Sequence, residues 1–139
     1  LRRWLELDED AFYATFYCAS VTRCYPGRAP SGSGDRTPTP REQELCSLWR
    51  EWELRLIRPE LVLVVGGLSA RRLLGQSNLG ESIGRRYDVD GATAIPLPHP
   101  SGTSRWLNDP ANRLRLGDAL KVVKQELSRL RTAPPRSSL

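Results

Sequence analysis

The sequence predicts an α/β fold, a three-layer α/β/α sandwich around a central, mainly parallel sheet. Three observations predict it. The segment "ELVLVVGG" at 60–67 is an unbroken apolar run of strand length, the pattern of a strand covered on both faces. A second short strand, "TAIPLP" at 93–98, ends in a histidine flanked by prolines. Between and around these runs lie segments whose apolar residues recur every three or four positions. Strands alternating with helices give right-handed crossovers and a sheet with helices on both faces.

Taken in order, Leu1–Leu7 reads as the end of a helix, with Asp8-Glu9-Asp10 breaking its pattern. A strand is expected over Phe12–Val21, where Phe12, Ala14, Phe16, Cys18 and Ser20 would share one face by period-two alternation. Ser20 would then stand near its carboxyl end, and Cys18 would pack in the core beside the phenylalanines. The stretch "CYPGRAPSGSGDRTPTP" is too rich in Gly, Pro and Ser for regular structure and is expected to be a long loop. Thr39-Pro40-Arg41-Glu42 starts a helix with a capping residue, a proline at the first position and an acid in the first turn. In that helix Leu45, Leu48, Trp49, Trp52 and Leu56 form a stripe expected to face the core, with Pro59 as the stop.

"ELVLVVGG" is expected to be the buried central strand, closed by Gly66-Gly67, with a helix over Ser69–Leu74. A polar loop containing Gly80, Gly84 and Gly91 leads to "TAIPLP". Asn108-Asp109-Pro110 caps a last helix whose period runs through Leu116, Leu120, Val123, Leu127 and Leu130. One domain over 1–131 and a disordered tail over 132–139 are expected. In open α/β sheets ligands collect beyond the carboxyl ends of strands, which would bring Ser20, Gly66-Gly67 and His99 to one crevice.

Length and composition narrow the function. A chain of 139 residues suits a single core. It shows neither a secretory leader nor an apolar run of the roughly 18 residues a spanning helix needs, and the absence of Met suggests a fragment. The net charge of +5 comes from arginine, since Lys121 and Lys124 are the only lysines. Arginine's planar fork suits phosphate, which tilts the chain toward nucleic acid, although GC-rich coding yields the same bias. Three cysteines, an odd number without a leader, point to a reducing compartment and to free thiols or metal ligands.

His99 is the only histidine. Pro98 and Pro100 exclude a helix there, and Pro100 drives His99 into extended geometry. A neutral imidazole so held could donate to a carbonyl oxygen gaining charge, or act as a general base; the alternative is a ring satisfied by nearby backbone. Ser101, Gly102, Thr103 and Ser104 could approach a phosphate closely, and Arg105-Trp106 add a cation and a flat ring; the alternative is a plain turn. Gly67-Leu68-Ser69-Ala70-Arg71 imitates a serine hydrolase elbow with Ser69 as nucleophile but lacks its second glycine. Cys24 and Cys46 bracket the long loop and could be half of a four-cysteine iron-sulfur or zinc site, or buried inert thiols.

The segments "PHPSGTSRW", "SVTRCYPG", "GDRTPTPREQELC" and "RPELVLVVGGLSARRLLG" together resemble the uracil-DNA glycosylase superfamily, specifically its iron-sulfur branch, from about Phe12 to Leu130. The resemblance implies a monomeric bacterial enzyme of the cytoplasm and nucleoid. It would flip uracil or another deaminated base out of DNA and hydrolyse its N-glycosidic bond, with no membrane partner. His99 would stabilise the departing base, and Ser101, Gly102, Thr103, Ser104 and Arg105 would form the minor-groove loop, with Arg105 or Thr103 as the wedge. Cys24 and Cys46 would be two ligands of a structural 4Fe-4S cluster, whose other two ligands would precede Leu1 along with the family's first motif. Ser20 stands where branch members often carry an asparagine that reads the base edge; one rotatable hydroxyl replaces the fixed donor-acceptor pair of an amide. A serine hydrolase using Ser69 and His99, and a noncatalytic DNA-binding module, are the competing readings.

Overall fold

Two of the predicted strands pair in parallel. In the structure, a computed structural model that describes residues 1–101 and 105–133, β1 (Leu61–Val65) lies beside β3 (Ala92–Leu97), in register from Leu61 against Thr93 to Val65 against Leu97. The chain forms two compact units, one of Leu1–Phe16 with the chain from Glu60 onward, the other Tyr17–Pro59.

In the first unit the sheet has three strands in the order β1-β3-β2. The added strand β2 (Tyr87–Val89) runs antiparallel to β3, so the fold is mixed α/β. This replaces the polar loop expected there: three residues are too few for a period, and the turn at Asp90-Gly91, both at positive φ, is what pairs them with β3. β3, not β1, is therefore the central strand, and its side chains divide by alternation. Ile95 and Leu97 join Leu116, Ala119 and Val123 of the last helix, with Leu5 and Phe12, in one buried cluster. Ala94 joins Val64 and Ala70 in a second cluster. Burying an Ile or Leu fully is worth about 1.5–3 kcal/mol, so the strand that ends in His99 is the best anchored of the three.

The helices of this unit follow from local chemistry. α1 is Arg2–Leu5 and α2 is Glu9–Thr15. The second corrects the expected Phe12–Val21 strand: the Asp8 carboxylate accepts the Ala11 N–H at 2.8 Å, capping a helix. Phe12 and Phe16 then meet four residues apart, their ring centroids separated by 5.2 Å. Capping plus this pair outweighs aromatic strand propensity, which depends on finding a neighbouring strand. α5 (Gly67–Leu74) starts directly at the glycine turn, and a short α6 (Leu79–Ser82) follows. α7 (Pro110–Thr132) is capped by Asp109, whose side chain accepts the Ala111 N–H. The expected tail therefore begins with a helical Thr132, and 134–139 lie outside the described residues.

Gly84 fixes how α7 meets the sheet: its N–H donates to Pro96 O at 3.1 Å, and the position its Cβ would take lies 2.9 Å from Ala119 Cβ. Nearby, the buried Glu126 of α7 accepts from Arg86 Nε at 2.7 Å and from Arg129 Nε at 2.9 Å. These guanidinium groups, Arg129 first, hold its carboxyl below the usual range.

In the second unit the helix expected from Thr39 onward is present but broken. α3 (Pro40–Leu45) has a complete capping box between Thr39 and Glu42, and α4 (Ser47–Ile57) restarts after Cys46. α4 ends on Arg58 in left-handed geometry, one residue before Pro59. The stripe expected in the core is exposed: Trp49, Trp52 and Leu56 keep 60, 53 and 77 % of their accessible surface. The period correctly predicts a helix but says nothing about what covers its face. Cys18 is likewise exposed rather than in the core, since no strand carries it inward.

Candidate functional site

The parallel pairing of β1 and β3 sets Val65 and Leu97 side by side, so the segments leaving both strands emerge at one edge. Gly66 ties them together. Its N–H donates to Leu97 O at 2.9 Å, and it has φ 88°, a left-handed conformation suited to glycine. Pro98 is buried and His99 is exposed. A Cβ built on Gly66 would lie 3.4 Å from His99 Cδ2 and 3.6 Å from His99 Cβ, so the imidazole rests against the glycine turn. Two of the three segments expected to converge, Gly66-Gly67 and His99, do so.

The ring's hydrogen bonds define its chemistry. The Ser101 backbone N–H donates to His99 Nδ1 at 3.2 Å, and Ser101 Oγ lies 2.9 Å from the same nitrogen. An amide can only donate, so Nδ1 is an acceptor and the neutral ring carries its proton on Nε2. The exposed imidazole therefore presents an N–H donor. Arg105 is exposed at the start of a 3-10 turn, Arg105–Asn108, whose Trp106 carbonyl accepts from Asn112 Nδ2 at 2.9 Å. The expected contacts at Gly102, Thr103 and Ser104 lie outside the described residues. A shallow recess lined by Arg2, Arg3, Trp4, Phe12, Tyr13 and Pro100 adjoins the histidine loop. Only Pro100 carried a sequence signal, because α1 and α2 reach it through the fold.

The second unit holds the cysteines. Cys46 is buried at the break between α3 and α4, and Cys24 is exposed. The Arg23 and Cys24 backbone N–H groups, then the Cys24 side chain and the Arg23 charge, bring the Cys46 thiol below its ordinary value against the opposing effect of desolvation. Arg23 is in turn anchored. Its Nε donates to Glu53 Oε1 at 2.8 Å, its Nη2 pairs with Glu53 Oε2, and the Tyr17 hydroxyl donates to Glu53 at 3.1 Å. Sequence reasoning found the cysteines but not this brace, whose members stand 30 and 36 residues apart. Ser20 is exposed in irregular chain, with its carbonyl accepting from Arg23 Nη1. The expected position at a strand end is corrected because no strand forms there. No group of three or more His, Cys, Asp or Glu side chains gathers as a metal site among the described residues.

Residues 1–121 match the family described as the Uracil DNA glycosylase superfamily. The chain belongs to the uracil-DNA glycosylase superfamily. This superfamily member is 26% identical over 116 residues to the Type-4 uracil-DNA glycosylase of Thermotoga maritima, a match covering 79% of this chain and 57% of that protein. The chain thus spans less than two thirds of the relative's length. Among the described residues no helix is long and apolar enough to cross a membrane.

Proposed function

We propose that the chain belongs to a DNA repair glycosylase that extrudes uracil, or a related deaminated base, and hydrolyses its N-glycosidic bond. The observation that carries the proposal is the Ser101 N–H on His99 Nδ1. It leaves Nε2–H as a donor on an exposed ring at the strand ends, suited to a carbonyl oxygen of a base departing as an anion. In the hydrolysis the carbon-nitrogen bond breaks, the water oxygen bonds to the anomeric carbon, and the base takes up a proton. His99 supplies the hydrogen bond while negative charge develops. The same tautomer argues against a hydrolase with Ser69 as nucleophile, since Nε2 already holds a proton and cannot take another from a hydroxyl.

Ser101, Gly102, Thr103, Ser104 and Arg105 are the proposed DNA contacts, and Ser20 the proposed reader of the base edge. Unstacking a base costs a few kcal/mol, which a wedge from Thr103 or Arg105 would offset. Helices on both sides of β3 favour a three-layer arrangement with further strands, and one domain over 1–131 remains the proposed unit of function. Its proposed setting is the bacterial cytoplasm at the nucleoid, as a monomer.

Cys24 and Cys46 suit half of a four-cysteine cluster site: the Cys46 thiol is held below its ordinary value, first by the Arg23 and Cys24 backbone and then by the Cys24 side chain, the environment that stabilises thiolate ligands. A bound 4Fe-4S cluster would cross-link the loop to the α3–α4 junction rather than move electrons. Arg23, braced by Glu53, would hold that loop in position.

The test is single-turnover release of uracil from an oligonucleotide containing deoxyuridine by the full-length protein, with its natural amino terminus restored. His99→Ala should slow it by about 100-fold, as for one lost oxyanion donor, with duplex affinity unchanged. Equal measurable rates would remove His99 from the chemistry. Salt-sensitive DNA binding by that full-length protein without any release would favour a noncatalytic module, and fluorophosphonate labelling of Ser69 would favour the hydrolase.

A further inference from the structure

We propose that Gly66 is a positioning residue for the His99 imidazole, fixing the ring plane so that Ser101 holds its tautomer; this rests on the glycosylase reading for its purpose but not for its geometry. Gly66 makes contact with the histidine loop in two ways. Its N–H is bonded to Leu97 O at 2.9 Å, two residues before His99. Its Cα side faces the ring, with the virtual Cβ 3.4 Å from Cδ2, 3.6 Å from Cβ and 3.9 Å from Cγ of His99. A ring with the Gly66 backbone on one side and Ser101 on Nδ1 cannot rotate about its Cβ–Cγ bond without losing the Ser101 bond at 3.2 Å.

A side chain at Gly66 would disturb this through the backbone. At φ 88° an L-residue is strained, so the backbone relaxes and carries its N–H away from Leu97 O. The new methyl, which in the unrelaxed geometry would only touch the ring at 3.4 Å, moves with that backbone and carries the ring with it. The movement acts on the angle at which Nε2–H leaves the surface. Gly91 serves as a control, because it has φ 80° with nothing within 4 Å of its virtual Cβ and precedes β3 at the end opposite His99.

His99 being the sole histidine, its ring gives one set of imidazole signals. In the unaltered protein we expect the nitrogen shifts of a single Nε2–H tautomer and a nuclear Overhauser effect from Gly66 Hα to His99 Hδ2. Gly66→Ala should average the two nitrogen shifts toward each other and weaken that effect, whereas Gly91→Ala should leave both as they were. Ring signals unchanged in Gly66→Ala, or disturbed equally in Gly91→Ala, would overturn the proposal. If Gly66→Ala does not fold, the unaltered protein decides alone: a Gly66–His99 effect supports the contact and its absence refutes it. Failure of the full-length protein, with its natural amino terminus, to release uracil while these signals are intact would count against the glycosylase reading and leave the positioning role standing.

Discussion

Replacing Gly84 with alanine should destabilise the protein by about 2–4 kcal/mol, a large part of the roughly 5–15 kcal/mol typical of a domain. Two contributions can be separated. Gly84 has φ 72°, where an alanine costs on the order of 1 kcal/mol. In addition, the new Cβ would lie 2.9 Å from Ala119 Cβ and 3.0 Å from Ala119 Cα, well inside the ~3.5–4.0 Å optimum for carbon pairs. The obstacle is helix backbone, which cannot rotate away, so overpacking adds about 1–3 kcal/mol. Gly91→Ala, with a similar φ and open space, should cost only the first part. Urea unfolding followed by tryptophan fluorescence gives both values, and thermal circular dichroism should show the Gly84 variant melting on the order of 10 °C lower. Adding Ala119→Gly should reveal a favourable coupling of about 1–2 kcal/mol with Gly84→Ala, although that glycine has its own helix cost of about 1 kcal/mol. Equal losses for Gly84→Ala and Gly91→Ala would refute the claim that close packing of α7 on the turn holds the sheet.

Other perturbations give distinct signatures. Ile95→Ala removes a side chain with no exposed surface from the central strand and should cost about 3 kcal/mol by denaturant titration. Arg36 on both oxygens of Glu42, with the Thr39 amide, lowers the Glu42 carboxyl to about 2. Its contribution is present above the ordinary value near 4.5 and is lost as pH falls from there through about 2. Carboxyl-carbon NMR should show that low midpoint, and Arg36→Ala should move it up toward the ordinary range while the Thr39 amide still holds it below. Full-length protein purified anaerobically, with its natural amino terminus, should contain iron and absorb visible light, with both reduced in Cys46→Ser; an iron-free, colourless full-length preparation would remove the cluster assignment.

How legible each feature was in the sequence depended on the range of the forces that make it. β1 and β3 could be read because an unbroken apolar run marks a doubly covered strand whatever it pairs with, and the Thr39 box and the Asp109 cap because each rests on neighbours within a few residues. The histidine segment was legible for the same reason, as two prolines act on the backbone beside them. The Phe12–Val21 strand failed because a strand is stabilised by partners far along the chain, whereas the Asp8 cap needs only Ala11. The exposure of Trp49, Trp52 and Leu56 was invisible since a helical period records amphipathicity and not what lies opposite. Glu53 bracing Arg23, and Gly66 against His99, depend on chain separation that no local pattern encodes.

β1 has one further consequence. Among the described residues it pairs with β3 alone, so its outer margin presents five apolar, uncharged residues, Leu61–Val65, as a template on which another extended chain could lengthen the sheet. Proline at 59 and the paired glycines at 66 and 67 bracket the segment as gatekeepers. A strand added along that margin could therefore extend over little more than these five residues before the chain turns away at either end.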